Sequence, residues 1–375
     1  MQCRLWFKLL LFLIFWPALC ALPRQMLSRG TDAGERAPQT ATPPLSAPDA
    51  TAQPAKPQSP WLAGARCVRT LRGHEGGVNA VVFIQRGAEI LSGGDDGTVR
   101  TWSVADGASL RVLKAHNKAV LALAVDESGS VLATGGADET AKVWKLPAGE
   151  LITTITEHMA AVSAVALSAD GHMLATGAAD GTAHLWEVPS GMPLASLRGH
   201  EFEVTAALFA RDSSYVLTAS LDKTVRMWAV DGRLLRRLVE HHRGVTSMAL
   251  SADGSLLATG SMDSSARLWK MPQGEPWRTF QWHGGGVSCV ALSPDGACLV
   301  TGSGVKTLKF WELPDGLRTA TVSGHTGGIR AVAFSPDGSL VASASADGTI
   351  RLWEPAAAAH DGGEAPPLPP ETPPL

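Results

Sequence analysis

Seven histidines recur through this chain at nearly one interval: His74, His116, His158, His200, His241, His283 and His325. Three further columns keep step with them. A hydroxyl follows each histidine at Ser92, Thr134, Thr176, Thr218, Thr259, Thr301 and Ser343. An acid comes next, at Asp96, Asp138, Asp180, Asp222, Asp263 and Asp347, and a tryptophan closes each copy at Trp102, Trp144, Trp186, Trp228, Trp269, Trp311 and Trp353. Imidazole and carboxylate are the groups from which metal sites and acid–base centres are built. A reactive centre, however, is needed once, whereas this set returns in separate copies. The pattern therefore reads as a staple: carboxylate to imidazole, imidazole to hydroxyl, hydroxyl to indole N–H. Such a chain of buried polar groups is satisfied only when every member is present.

The elements that carry these residues follow from the period. The tryptophans stand 42 residues apart, with a single interval of 41 between Trp228 and Trp269. The missing residue falls in the turn Trp228-Ala-Val-Asp-Gly232, where length changes are best tolerated. Each copy opens on an apolar run such as Val162-Ser-Ala-Val-Ala-Leu167, buried on both faces if it is a strand. A Ser-Pro-Asp-Gly-type turn, a second apolar run, an Asp-Gly turn and the tryptophan strand follow, as in the cleanest copy from Gly324 to Trp353. Four short strands per fixed period predict propeller blades.

With these seven in-phase copies, six of them complete in His, Ser/Thr, Asp and Trp, the chain from Arg66 to Glu354 resembles the WD-repeat family. The resemblance implies an all-β fold, a seven-bladed β-propeller of four-stranded antiparallel blades. The segment Cys67 to Leu71 matches the outermost strand that follows the tryptophan strand in later repeats. The last repeat stops at Trp353 without that strand, so the N-terminal segment is expected to close the ring. The family's role implies a noncatalytic protein–protein interaction scaffold without a cofactor, and the propeller is read as a monomer. Partners of such propellers usually contact the face bearing the Gly-His loops. The family's contact positions, carried onto this chain, give mostly small residues; the larger ones are Asn79, Asp95, Leu121, Glu203, Thr205, Leu221, Met262 and Arg330.

Blade six breaks the pattern. Val305 stands where its acid belongs, and Trp282 precedes His283 where other repeats carry Gly, Ala or Glu. Two readings stand: a decayed blade whose gap Trp282 fills, or a binding patch with Trp282 as anchor and Arg243 and Lys306 at its rim. Another column, two residues before each tryptophan, is Arg, Lys or His in all seven repeats, including His184, Arg226 and Arg351. Stems packed and heads solvated or paired is the expectation there.

Formal charge is −3 for the chain, which is no footprint for nucleic acid. Cys67, Cys289 and Cys298 lack metal-type spacing and read as small core residues. No Gly-x-Ser-x-Gly elbow, phosphate loop or His-Glu-x-x-His occurs, so no enzyme is expected. Residues 1–20 place Arg4 and Lys8 ahead of an apolar run from Leu9 to Leu22, a signal peptide or an uncleaved signal anchor that would tether the propeller to a membrane. Either exports the propeller to the periplasm, the cell surface or the medium; a mis-called start codon would leave it cytoplasmic. Residues 21–65 are rich in Ala, Pro, Thr and Ser and read as a flexible linker, and 355–375 as a Pro-rich disordered tail. The alternative function is an exported propeller that binds a small molecule or saccharide in its central channel.

Overall fold

The computed structural model of the chain describes residues 59–281 and 284–356. The N-terminal apolar run, most of the proline-rich stretch, Trp282, His283 and the tail from residue 357 lie outside the described residues. Seven four-stranded antiparallel sheets form a ring of blades, and the first strand of each blade packs on the first strands of its neighbours. Blade one consists of Val78–Ile84, Glu89–Gly94, Thr98–Ser103 and Ser109–Lys114. Among the described residues no helix is long and apolar enough to cross a membrane.

Six blades take their strands in chain order. The seventh joins Ile329–Phe334, Val341–Ser345 and Thr349–Pro355 to β1 (Ala65–Arg72). Leu71 pairs with Ile350 and Cys67 with Trp353. Leu71, Ile350 and Leu352 are all buried in one cluster with Trp102 of blade one. The N-terminal strand thus closes the ring, and the ladder edge left by Trp353 is covered.

Each seam between blades has its own apolar core. Between blades two and three, for example, Ala133, Val143 and Ile155 meet Val165, Leu174 and Trp186. The first strand of every blade pairs with the second around a bulge at one repeat position. In blade one Val78 pairs with Gly94 and Ala80 with Gly93, which leaves Asn79 without a ladder partner. The same skip recurs in the other six blades. A bulged residue leaves the in–out alternation and re-aims its side chain.

The fold begins before the Arg66 boundary that composition draws. Pro60–Ala63 form a short 3-10 helix, capped by the Ser59 hydroxyl, which accepts from the Trp61 N–H. Trp61 is 1% exposed and stacks on Phe310 with ring centroids 5.0 Å apart, with Phe334 edge-on at 5.7 Å. It belongs to the core of the seam between blades six and seven. Other seams fill the matching place with the residue two after tryptophan, such as Leu146, Val188, Met271 or Leu313. Blade seven has Pro355 there, already paired with Ala65, so Trp61 is drawn in by the vacancy. At the other end, Pro355 and Ala356 also belong to the fold rather than to the tail, since the Ala356 N–H donates to the Gly64 carbonyl.

The cysteine reading needs one correction. Cys289 and Cys298 are buried free thiols, each pushed up to about 12 by burial. Cys67 is exposed, because an outermost strand has neighbours on fewer sides.

Candidate interaction face

The polar columns meet as expected in most blades. In blade four His200 Nδ1 lies 2.7 Å from Asp222, its Nε2 lies 2.7 Å from the Thr218 hydroxyl, and Trp228 Nε1 donates to that hydroxyl at 2.8 Å. The same chain joins His74, Asp96, Ser92 and Trp102 in blade one, and His116, Asp138, Thr134 and Trp144 in blade two. It recurs with His241, Asp263, Thr259 and Trp269 in blade five, and with His325, Asp347, Ser343 and Trp353 in blade seven. The direction of each bond follows from its neighbours. The indole N–H can only donate, so the hydroxyl gives its proton to Nε2, and a neutral imidazole donates from Nδ1 to the carboxylate. A fifth column completes the set: a hydroxyl two residues after the acid donates to it, from Thr98, Thr140, Thr182, Thr224, Ser265 and Thr349. Sequence reasoning missed this column, although Ser or Thr stands there in every repeat. In blade six Trp311 Nε1 donates to Thr301 at 2.9 Å; His283 lies outside the described residues.

Blade three departs from the expectation. His158 Nδ1 meets the Thr182 hydroxyl at 3.2 Å, and Asp180 is exposed, bonded to Thr182 rather than to the imidazole. His158 still reaches Thr176, and Trp186 still donates to Thr176. Its ring faces His184 edge-on at 5.2 Å. Asp222→Ala should therefore cost about 1–3 kcal/mol, since it strands the buried His200 and Thr224. Asp180→Ala should cost less, because the group it leaves is an exposed turn. Denaturant melts of the two variants check the order, and equal costs would contradict it.

Titration of these groups points one way. Burial alone would raise Asp96, but the Thr98 hydroxyl and N–H, the Glu75 N–H and His74 outweigh it and hold the carboxyl at about 2. Asp138 and Asp263 are likewise held at about 2, against burial, by hydrogen bonds and their histidines. Burial lowers His74, His116, His241 and His325, and burial with the charge of His184 takes His158 down to about 4. Both kinds of group are depressed in the fold, so each contributes stability above its unfolded value. The histidine contribution is lost as pH falls below 6.5, and the carboxylate contribution between 3.8 and about 2. The melting temperature should therefore fall steadily once the pH drops below 6.5. A flat profile from pH 7 to 4.5 would contradict the neutral, buried imidazoles.

The cationic column is more enclosed than its sequence pattern implies. Arg226 is 8% exposed; its guanidinium lies over Trp228 at 5.9 Å and 3.7 Å from Asp222. Room for it comes from Gly199, since a Cβ there would collide with the guanidinium. Gly73 with Arg100, and Gly324 with Arg351, repeat the arrangement. Where the glycine is replaced, the cation changes its partner: Lys142 donates to the Ala115 carbonyl at 2.8 Å, and Arg267 pairs with Glu240 at 3.3 Å. These side chains hold the blades and offer no free cationic ring to a ligand.

The Gly-His loops and the Asp-Gly turns lie together on one face, joined by backbone bonds such as Asp95 N–H to the Gly77 carbonyl and Leu221 N–H to the Glu203 carbonyl. The bulged column ties neighbouring blades at this end. Asn79, Ser163, Thr205, Thr246 and Ser288 each donate to the first-strand carbonyl of the next blade, at Val120, Val204, Val245, Val287 and Ile329. Leu121 and Arg330 interrupt the series. Leu121 is half-buried and has no donor to give. Arg330 instead crosses the closing seam to Asp95, 3.0 Å away, and to Asn79, while Asp95 accepts from Gly77 and Asn79. Asn79, Asp95 and Arg330 are thus brought together, committed to one another and to the seam.

The other candidates fall on the far side of this face. Met262 is 48% exposed and Leu221 half-buried, with Leu221 packed over Gly244 of the next blade. Arg243 and Lys306 are exposed on the same face and Glu203 is half-buried; Trp282 lies outside the described residues. Three large apolar side chains that the family positions do not include join them: Met159 at 89%, Phe202 at 59% and Val305 at 46% exposure. Blades three to six therefore carry an apolar arc, and blades seven, one and two a polar one.

A WD-repeat propeller is the class that this ring and its polar staples define. The sequence model of the family described as "WD domain, G-beta repeat" matches residues 65–103, 107–145, 149–187, 191–229, 232–270, 274–312 and 316–354. The chain belongs to that family. None of the curated proteins compared with it matches.

Proposed function

We propose that this chain is a noncatalytic protein–protein interaction scaffold whose partner sits on the Gly-His face over blades three to six. The observation that carries the reading is the exposure of Met159, Phe202, Met262 and Val305 on one face of a rigid ring. Large apolar side chains left exposed on one face cost free energy in water and mark a place that a partner can cover. Glu203, Arg243 and Lys306 supply charge at its edge, and Trp282 belongs to it by repeat position. Phe202→Asp with Met159→Asp should leave the melting temperature unchanged, because both side chains are exposed. Capture of the partner from the native compartment should fall roughly thirtyfold, the equivalent of about 2 kcal/mol. Leu110→Asp, on the outer strand of blade one, is the control. Undiminished capture by the double variant would sink the reading.

Export is part of the same proposal, supported by Arg4 and Lys8 ahead of the apolar run. The mass of the protein recovered outside the cytoplasm decides between a cleaved signal peptide and an anchor. Recovery of the full-length chain from the cytoplasm alone would refute export.

A further inference from the structure

We infer that blade three carries an acid-operated latch: a proton on His184 draws the carboxylate of Asp180 onto His158, and loss of that proton releases it. Blade five shows the latch shut. The two blades agree at Glu157 and Glu240, His158 and His241, Thr176 and Thr259, Asp180 and Asp263, and both place a hydroxyl two residues after the acid. Their cation position differs, with His184 in blade three and Arg267 in blade five. Asp263 lies 2.9 Å from His241 Nδ1, its side chain 8% exposed. Asp180 is exposed and leaves His158 Nδ1 to the Thr182 hydroxyl.

The contrast holds round the ring. Asp96, Asp138, Asp222, Asp263 and Asp347 are seated on their histidines, and their blades carry Arg100, Lys142, Arg226, Arg267 and Arg351. Of the six blades that have the acid, the one without a permanent cation is the one whose acid is unseated. Burying a carboxylate costs free energy unless a positive charge offsets it. His184 occupies the cation's place: its ring centre is 5.6 Å from that of Trp186, as the Arg226 guanidinium is 5.9 Å from Trp228. Neutral, it supplies no charge; protonated, it does. Burial and Arg198 oppose a proton on His184, while Glu157 and Asp180 favour it. Burial and His184 oppose one on His158, and Asp180 favours it. A seated carboxylate holds the His184 proton more tightly, so by reciprocal linkage the proton favours the seated state. The latch is therefore open at neutral pH and shuts as the pH falls below 6.5. Burial opposes ionisation of Asp180, but the Thr182 hydroxyl and N–H outweigh it and keep the carboxyl below 3.8, so the charge persists over that range. In the shut blades the N–H after the histidine donates to the seated acid, as from His242 at 2.9 Å. The matching residue in blade three is Met159, so the shut latch pins the loop at one edge of the apolar arc.

The test follows the gap in melting temperature between the full chain and its Asp180→Ala variant from pH 8 down to pH 5. The gap should be small at pH 8 and widen as the pH falls. In a His184→Arg background, which reproduces blade five, the gap should be wide already at pH 8 and should not grow. In a His184→Gln background it should stay small throughout. At pH 5 the Met159 amide should exchange its hydrogen about tenfold more slowly in the parent chain than in His184→Gln. A gap that does not widen in the parent chain overturns the inference. So does a gap that widens equally in His184→Gln, which would place the proton on another group. No partner enters these measurements, so the latch stands or falls separately from the docking face.

Discussion

Removal of residues 1–72 is expected to unfold the ring, whereas removal of 1–58 should leave its melting temperature unchanged. β1 is the fourth strand of blade seven and arrives from the opposite end of the chain. Without it, Leu71 is lost from its cluster and Ile350 and Leu352, each 1% exposed, face water. Burying a leucine or isoleucine side chain is worth about 1.5–3 kcal/mol, and a full ladder of backbone hydrogen bonds goes with these side chains. The total is on the order of 5 kcal/mol or more, comparable with the whole stability of a domain at about 5–15 kcal/mol. Thermal melts of the two truncations make the comparison. A synthetic peptide covering 59–72 should restore the transition of the shorter chain. Equal melting temperatures for the two truncations would mean that β1 does not close the ring.

Trp61→Ala carries the second-largest effect, a loss of about 3–5 kcal/mol, the usual cost of emptying a buried tryptophan site. The residue sits in a segment whose composition gives no hint of a core, yet it is among the least exposed side chains in the molecule. Its removal opens a void between Phe310, Phe334 and Trp353 that the surrounding strands, pinned by their ladders, can close only in part. A truncation of 1–64 removes the same ring and keeps β1, so it should match Trp61→Ala closely. Denaturant melts of the pair check this. A cost below about 1 kcal/mol, the range of a surface substitution, would show that the seam is filled without Trp61.

Much of this molecule is legible in its sequence because the same problem is solved seven times. A staple of His, Ser/Thr, Asp and Trp appears as columns at fixed spacing, and the columns imply their own bonds, since each buried polar group needs a partner of the right kind. Ring closure is equally legible, because the last repeat ends a strand short and the first begins a strand early. Features that occur once have no column to announce them. Trp61 is buried because Pro355 leaves one seam unfilled, and that vacancy exists only after blade seven has formed. Asp180 keeps its place in the acid column yet points to water, with His184 packed against His158 where blade four has a guanidinium beside Asp222. Asn79, Thr205 and Arg330 look like contact residues by position, but a bulge turns their column toward the neighbouring blade, where each bonds across a seam. The apolar arc is the clearest case. Met159 follows a histidine, Phe202 comes one residue later in its loop, Met262 precedes an acid, and Val305 replaces one. No repeat position groups them; they share a face because the ring brings four different loops to one side.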